Sequence, residues 1–247
     1  MKHSLLFAAS WVGLSLACAG VAGAADETSV DSVLAKYVTA SGGKAALEKV
    51  SSRVTKVKIE SEAFGPSEGQ IFSSAPNKIR SHIDLANSGS MDEGFDGTVA
   101  WTKSPWQELR AKAGDELAKA KRDAEFSRIL HFKTVYPGLV LKGTEKVGDE
   151  EANVLESKPS ATSKERFWFS AKSGLLVRQD SEFEGGQGTV TVSVLPQDYK
   201  AFDGINYPNT LKMKVSTGGQ SFEFTMRFLE IQHNVKIEEA KFAKPAA

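Results

Sequence analysis

The side chains that most often carry catalysis or bind metals are few and widely spaced in this sequence. Beyond the N-terminal segment the histidines are His82, His131 and His233, and none belongs to a His-x-His or His-Glu-x-x-His motif. No Gly-x-Ser-x-Gly motif is present, and Gly186-Gln187-Gly188 is too short for a nucleotide-binding loop. The only cysteine is Cys18. The sequence therefore predicts no catalytic residue, no metal site and no cofactor, and we expect the protein not to be an enzyme.

A pattern suited to binding lies nearer the C-terminus. In two consecutive segments apolar side chains alternate with polar ones, so each segment would present one apolar face of a strand. The apolar positions are Leu211 and Met213 in the first segment and Phe222, Phe224, Met226 and Phe228 in the second. Because alkyl chains need apolar walls without directional partners, this face could line a cavity for a hydrophobic ligand. Ordinary core packing is the alternative, and the sequence leaves both interpretations open.

Hydrophobic periodicity predicts the elements that would position this face. Apolar residues recur at three- and four-residue steps between Ser29 and Val50, which indicates N-terminal helices, and a helical insertion is expected near 115–132. Elsewhere a period of two predominates, and Asp-Gly and Gly-Gly pairs supply hairpin turns. We predict one α+β domain, mainly antiparallel β, over residues 25–247, with helices in 25–52 and the sheet in 53–247. The expected architecture is an unclosed half β-barrel of about eight to eleven strands covered by short helices.

The first 24 residues have the composition of a secretory signal peptide. Lys2 and His3 precede an apolar run, and Ala22-Gly23-Ala24 forms a cleavage site. The apolar run is shorter than the roughly 20 residues that span a bilayer. We therefore predict cleavage after Ala24 and a periplasmic mature chain without a transmembrane segment. Lipid attachment at Cys18 is the less favoured alternative.

Several further segments occur in an order and spacing shared with one known family. Ala75 to Arg80 resembles that family's Pro-x-Lys-x-Arg strand entry, and Phe95 to Trp101 resembles its Asp-Gly turn leading to an aromatic residue. Phe167 to Arg178 resembles its hairpin of aromatic residues, a Ser-Gly turn and Leu-x-x-Arg. Tyr199 to Pro208 is similar to its C-terminal half. The family is the LolA/LolB-like superfamily of periplasmic outer-membrane lipoprotein-sorting proteins.

This resemblance implies a lipid or an acylated lipoprotein as the ligand, held between the half-barrel and its helices. Trp101 and Trp168 then join the expected cavity residues as rim positions, with half-buried packing as the alternative, and Arg80 is expected to contact a lid. Relatives on this scaffold also sense envelope stress, so a sensory or partner-binding module with an envelope protein partner is the alternative function. The formal net charge is zero, which argues against a nucleic-acid partner.

Overall fold

The computed structural model of the protein describes residues 28–63, 65–86, 88–186 and 188–246. The predicted signal peptide, with its cleavage site after Ala24 and the alternative site at Cys18, lies outside the described residues. The helices are α1 (Val30–Ala40), α2 (Lys44–Leu47), α3 (Gly114–Ala124) and α4 (Phe132–Val135), followed by a 3-10 helix at Glu239–Lys241. Within the described residues, no helix is both long enough and apolar enough to cross a membrane.

Thirteen strands are found in the described part of the chain, all in one antiparallel sheet. They are β1 (Ser52–Ser61), β2 (Ser67–Ser74), β3 (Lys78–Leu85), β4 (Gly89–Phe95), β5 (Ala100–Ser104), β6 (Gln107–Ala111), β7 (Val140–Val147), β8 (Glu150–Ser160), β9 (Ser163–Ser170), β10 (Leu176–Gly185), β11 (Gly188–Phe202), β12 (Ile205–Thr217) and β13 (Gln220–His233). Their spatial order is β6-β5-β4-β3-β2-β1-β13-β12-β11-β10-β9-β8-β7. The predicted antiparallel α+β architecture is confirmed, with more strands than the eight to eleven expected.

The sheet curls around α3 without closing. This helix packs against β4 and β5 on one side and against β10 on the other. In a flat sheet β4 and β10 would lie more than about 30 Å apart, because neighbouring strands are about 4.8 Å apart. An 11-residue helix is only about 16 Å long, so the sheet must bend to touch it from both sides. Strands β6 and β7 are the two edges of the sheet and do not pair with each other, so the structure is a half-barrel.

The helices define an inner face of the sheet. Helix α1 begins at Ser29, whose hydroxyl accepts a hydrogen bond from the Ser32 amide at 3.1 Å, and it buries Val33 and Leu34. It ends before Gly42, which has φ 118° and lies so close to the Gly204 carbonyl that a side chain could not fit. The cluster beneath α1 and α4 joins them to the sheet through aromatic side chains; its buried members are Val33, Leu34, Phe132, Tyr136, Leu155, Phe167, Phe169 and Leu176.

Two further apolar clusters occupy the inner face. One lies between α3 and the first half of the sheet and is centred on Phe95, Ala100 and Ala124. The other is centred on Val57, Ile83 and Leu85, strand residues that pack together with further strand side chains. Helix α3 contributes Leu117, Ala120 and Ala124 to the first of these clusters. Because two of these are alanines, the helix covers the open side with little apolar bulk.

The opposite, outer face carries mostly polar side chains and a C-terminal strap, residues 235–246. Phe242 in the strap is buried, and Lys241 places its ammonium 4.4 Å from the ring centre of Phe72 on β2. The strap therefore runs over the outer surface of the first half of the sheet. It supplies the apolar cover that the helices supply on the other side.

Candidate functional site

The alternating apolar residues of β12 and β13 form one continuous stripe on the inner face. Strand pairing places Leu211 opposite Met226 and Met213 opposite Phe224, and directly opposed residues of an antiparallel pair share a face. All of these side chains are partly exposed rather than buried. Strand β1 continues the stripe, since Ile59 lies opposite Met226.

A cavity of about 230 Å³ opens on this stripe. Its apolar lining consists of Ile59, Ile83, Leu85, Met91, Met213, Phe224 and Met226. Cavities that enclose drug-sized ligands usually measure about 300–1,000 Å³. This one is therefore large enough for part of an alkyl chain, and the rest of such a chain would lie along the half-exposed stripe beside it.

Polar groups mark one side of the cavity. Ser67, Ser81 and Thr102 contribute to its lining, together with Glu93. The ammonium of Lys112 lies 2.6 Å from the Glu93 carboxylate. This pairing lowers the pKa of Glu93 and raises the pKa of Lys112, so both groups are charged at neutral pH. The cavity thus has an apolar wall and one charged margin.

Helix α3 is attached across the half-barrel by polar contacts. Arg110 on β6 donates to both carboxylate oxygens of Glu116, at 2.7 and 2.8 Å. These hydrogen bonds lower the pKa of Glu116. On the other side Arg122 donates to Glu165 on β9 at 3.3 Å, and the Ser181 hydroxyl donates to the same carboxylate. Charged and hydrogen-bonded groups, more than apolar packing, hold this helix in place.

The predicted stripe residues divide into two groups. Met213, Phe224 and Met226 line the cavity. Leu211 and Phe222 share the inner face but lie outside its lining, with Phe222 opposite Val215 near the hairpin end. Phe228 packs onto the core cluster of Val57. The cavity is also lined by four residues that the sequence reasoning did not single out as ligand contacts: Ile59, Ile83, Leu85 and Met91. The alternation of apolar and polar residues in β1 and β3 could have identified Ile59, Ile83 and Leu85.

Trp101 lies on the outer face, not beside the cavity. It is fully buried, and its indole Nε1 donates to the carbonyl oxygen of Phe242 in the strap at 3.1 Å. Gly94 on the neighbouring strand makes room for the indole, since a side chain there would collide with the ring.

Arg80 is on the same face, with its guanidinium 5.6 Å from the Trp101 ring centre. It donates to Asp92 at 2.9 Å and to the Lys241 carbonyl at 3.3 Å. Arg80 therefore contacts the C-terminal strap rather than a helix covering the inner face.

Trp168 also points to the outer face. The guanidinium carbons of Arg166 and Arg178 lie 4.6 and 4.7 Å from its ring centre, and its Nε1 donates to Glu145 at 2.9 Å. Its neighbours Phe167 and Phe169 face inward, because successive strand residues point to opposite faces. The structure therefore separates both tryptophans from the stripe of β12 and β13.

The outer face has a depression of its own, of about 280 Å³. It is lined largely by polar and charged side chains, and its cations are paired: Lys164 with Glu156, Arg166 with Glu145 and Lys214 with Glu223. Such a surface offers little wall for an alkyl chain, so the inner cavity is the better candidate. Over the described ranges, no group of three His, Cys, Asp or Glu side chains is arranged to hold a metal ion.

No protein-family model matches the sequence, and no curated protein matches it either. Solved structures with the same fold include a LolA superfamily protein from Nitrosomonas europaea, at 16% identity over 88% of this chain and 98% of that chain, with a TM-score of 0.56. A DUF1329 family protein from Desulfovibrio piger has 13% identity over 87% and 97%, with a TM-score of 0.53.

A third similar structure is a domain from Vibrio parahaemolyticus described as an outer membrane lipoprotein-sorting protein. It has 12% identity over 78% of this chain and 90% of that chain, with a TM-score of 0.52. These likenesses span most of each chain and agree with the open antiparallel sheet and its short helices. The chain therefore shares its fold with these solved structures, one of which is a LolA superfamily protein.

Proposed function

We propose that this protein is exported to the periplasm, where it binds the acyl chain of a lipid or lipoprotein on the inner face of the half-barrel. The observation that carries the proposal is the partly exposed stripe of Met213, Phe224 and Met226 at the cavity. A packed core would bury such side chains, whereas a binding surface leaves them accessible until the ligand arrives.

The expected driving force is the burial of apolar surface. Each methylene removed from water contributes about 0.8 kcal/mol, so eight methylenes would contribute about 6 kcal/mol before the costs of association. Binding would also cover the exposed parts of the stripe itself.

The fold supports a carrier role in preference to catalysis. The Vibrio parahaemolyticus domain of the same fold is described as an outer membrane lipoprotein-sorting protein. That description is consistent with a lipoprotein or lipid as the ligand here and with a location in the cell envelope. The predicted signal peptide supports the same location.

The test places a charge in the stripe. Phe224→Asp should abolish binding of a fluorescent fatty acid and leave a soluble, cooperatively folded protein, because water can enter an open cavity and solvate the carboxylate. Ser221→Asp is the matched control, since Ser221 is exposed on the outer side of the same strand. It should bind the probe like the wild type.

Two results would contradict the proposal. If Phe224→Asp unfolds, the residue belongs to a dry core, where an unpaired carboxylate costs several kcal/mol. If wild-type protein purified from the periplasm yields no lipid on solvent extraction and binds no probe, the inner face is not a ligand site. Circular dichroism, urea denaturation and mass spectrometry of the extract distinguish these results.

A further inference from the structure

Arg53 places a cation on the inner face. Thr55, Val57 and Ile59 alternate with outward-facing residues along β1, and Arg53 continues the inward series at the opposite end of the strand from the cavity. The guanidinium carbon lies 5.8 Å from the ring centre of Phe126 and 5.0 Å from that of Tyr207. Among the described residues, no carboxylate forms an ion pair with Arg53 and no acceptor takes a hydrogen bond from its guanidinium.

The other arginines near the inner face differ from Arg53 in this respect. Arg110 is paired with Glu116, and Arg122 is paired with Glu165. A guanidinium is always charged and carries five N–H donors in a planar fork that fits carboxylates and phosphates. Contact with the two aromatic rings stabilises the cation but uses none of these donors. Arg53 therefore has donors available for an anion.

A hydrogen-bonded relay lies beside Arg53. Nδ1 of His233 is 2.9 Å from the carboxylate of Asp203, and Nε2 of the same ring is 3.1 Å from the Tyr207 hydroxyl. The His233 side chain is almost fully buried, at 4% exposure. In the tautomer whose Nδ1–H donates to Asp203, Nε2 accepts a hydrogen bond from the Tyr207 hydroxyl.

We propose that Arg53, in contact with the ring of Tyr207, forms an anion site that receives the carboxylate or phosphate head of an amphiphile whose alkyl tail extends along the inner face to the cavity. Arg53 and Ile59 are six positions apart on one strand, which corresponds to about 20 Å. Of the side chains between them, Thr55 and Val57 are buried, so the tail would lie over the partly exposed Phe228 and Met226 that face them from β13. The inference rests on the proposed function and specifies its ligand as a single-chain anionic amphiphile.

The test compares two probes that differ only in their head: a fluorescent long-chain fatty acid and the alcohol of the same chain. Wild-type protein should bind the acid at least about tenfold more tightly than the alcohol, since a charge-assisted fork adds to the same apolar contacts. Arg53→Met keeps an apolar side chain beside the rings. This variant should lose the preference for the acid and should still bind the alcohol. The control Arg227→Met, at an exposed outer-face position of β13, should retain the preference.

Competition experiments separate the sources of the anion. Lysophosphatidic acid should displace the fatty acid at concentrations near its own dissociation constant, whereas inorganic phosphate should displace it only at much higher concentrations. If inorganic phosphate competes as strongly as lysophosphatidic acid, the tail contributes nothing and the amphiphile is the wrong ligand class.

The remaining outcomes distinguish this inference from the proposed function. Equal affinity of wild type for acid and alcohol overturns the anion site and leaves the apolar cavity intact. Failure of both probes to bind overturns both proposals. If Arg53→Met does not fold, Arg53→Gln replaces it in the same comparison. This variant should also lose the preference for the acid that the wild type shows.

Discussion

The indole Nε1 of Trp101 donates a hydrogen bond to the carbonyl oxygen of Phe242, 3.1 Å away, and so joins the middle of the chain to its C-terminal strap. Trp101 is fully buried by this arrangement, and Phe242 is 1% exposed. Arg80 donates a hydrogen bond to the preceding carbonyl of the strap, that of Lys241. The outer face of the half-barrel therefore has a structural cover, while the inner face keeps its stripe accessible.

Loss of the Phe242 ring should destabilise the fold. Phe242→Ala leaves a cavity over Trp101, and we expect the free energy of unfolding in urea to fall by about 3 kcal/mol, at the lower end for a buried phenylalanine because the strap can detach locally. The exposed control Lys244→Ala should change it by less than about 0.5 kcal/mol. Equal effects of the two substitutions would show that the strap contributes no stability.

The buried ion pair between Arg122 and Glu165 should matter far more than an exposed one. The Glu165 side chain is 1% exposed and that of Arg122 is 11% exposed. Glu165→Ala leaves the guanidinium without its carboxylate, so we expect a loss of about 3–5 kcal/mol. Glu223→Ala removes the partner of Lys214 from an exposed pair and should cost less than about 1 kcal/mol. Thermal or urea denaturation of both variants gives the two losses in the free energy of unfolding. The prediction is wrong if these losses are similar.

Asp92 should make stability depend on pH. Burial opposes ionisation of this carboxyl, but hydrogen bonds from Arg80, His82 and Ser90 outweigh it and hold the pKa of Asp92 below its usual value. The resulting stabilisation is complete above the unfolded pKa of about 3.9 and is lost as the pH falls through the lower, folded-state pKa. Asp92→Asn should therefore cost about 2 kcal/mol at pH 7. The difference from wild type should shrink below about pH 4.

The control for this pH dependence is Asp149→Asn, because Asp149 is exposed in a turn. Its effect should stay within about 0.5 kcal/mol at every pH. A cost for Asp92→Asn that is unchanged between pH 7 and the acid range would show that ionisation of Asp92 does not stabilise the fold.

The sequence predicted the fold class well because alternation and helical periodicity are local. Apolar alternation in β1, β3, β12 and β13 appeared directly as a face of the sheet, and the N-terminal periodicity became α1. The strand count was too low by at least two because the edge strands carry weak signals. Edge strand β7, with sequence Val-Leu-Lys-Gly-Thr-Glu-Lys-Val, is mostly exposed and shows no regular alternation, and edge strand β6 is only five residues long with no buried residue. Exposed edge strands do not need a buried apolar face.

The placement of site residues was less predictable because it depends on distant segments. Alternation tells which residues share a face but not whether that face is inner or outer. Trp101 and Arg80 are covered by a strap that is more than 130 positions away in sequence, so no local signal assigns them to the outer face. Arg53 could have been noticed, since it continues the inward alternation of Val57 and Ile59. The ring of Tyr207 beside it depends on the pairing of distant strands.

The most direct test of a ligand site on the inner face is photo-crosslinking with a fatty acid that carries a diazirine in its tail, followed by peptide mapping. The account predicts saturable labelling of β12, β13 and β1, concentrated at Met213, Phe224 and Met226 and suppressed by excess unlabelled fatty acid. Labelling confined to the outer face, or labelling of the inner face that excess fatty acid does not suppress, would contradict it.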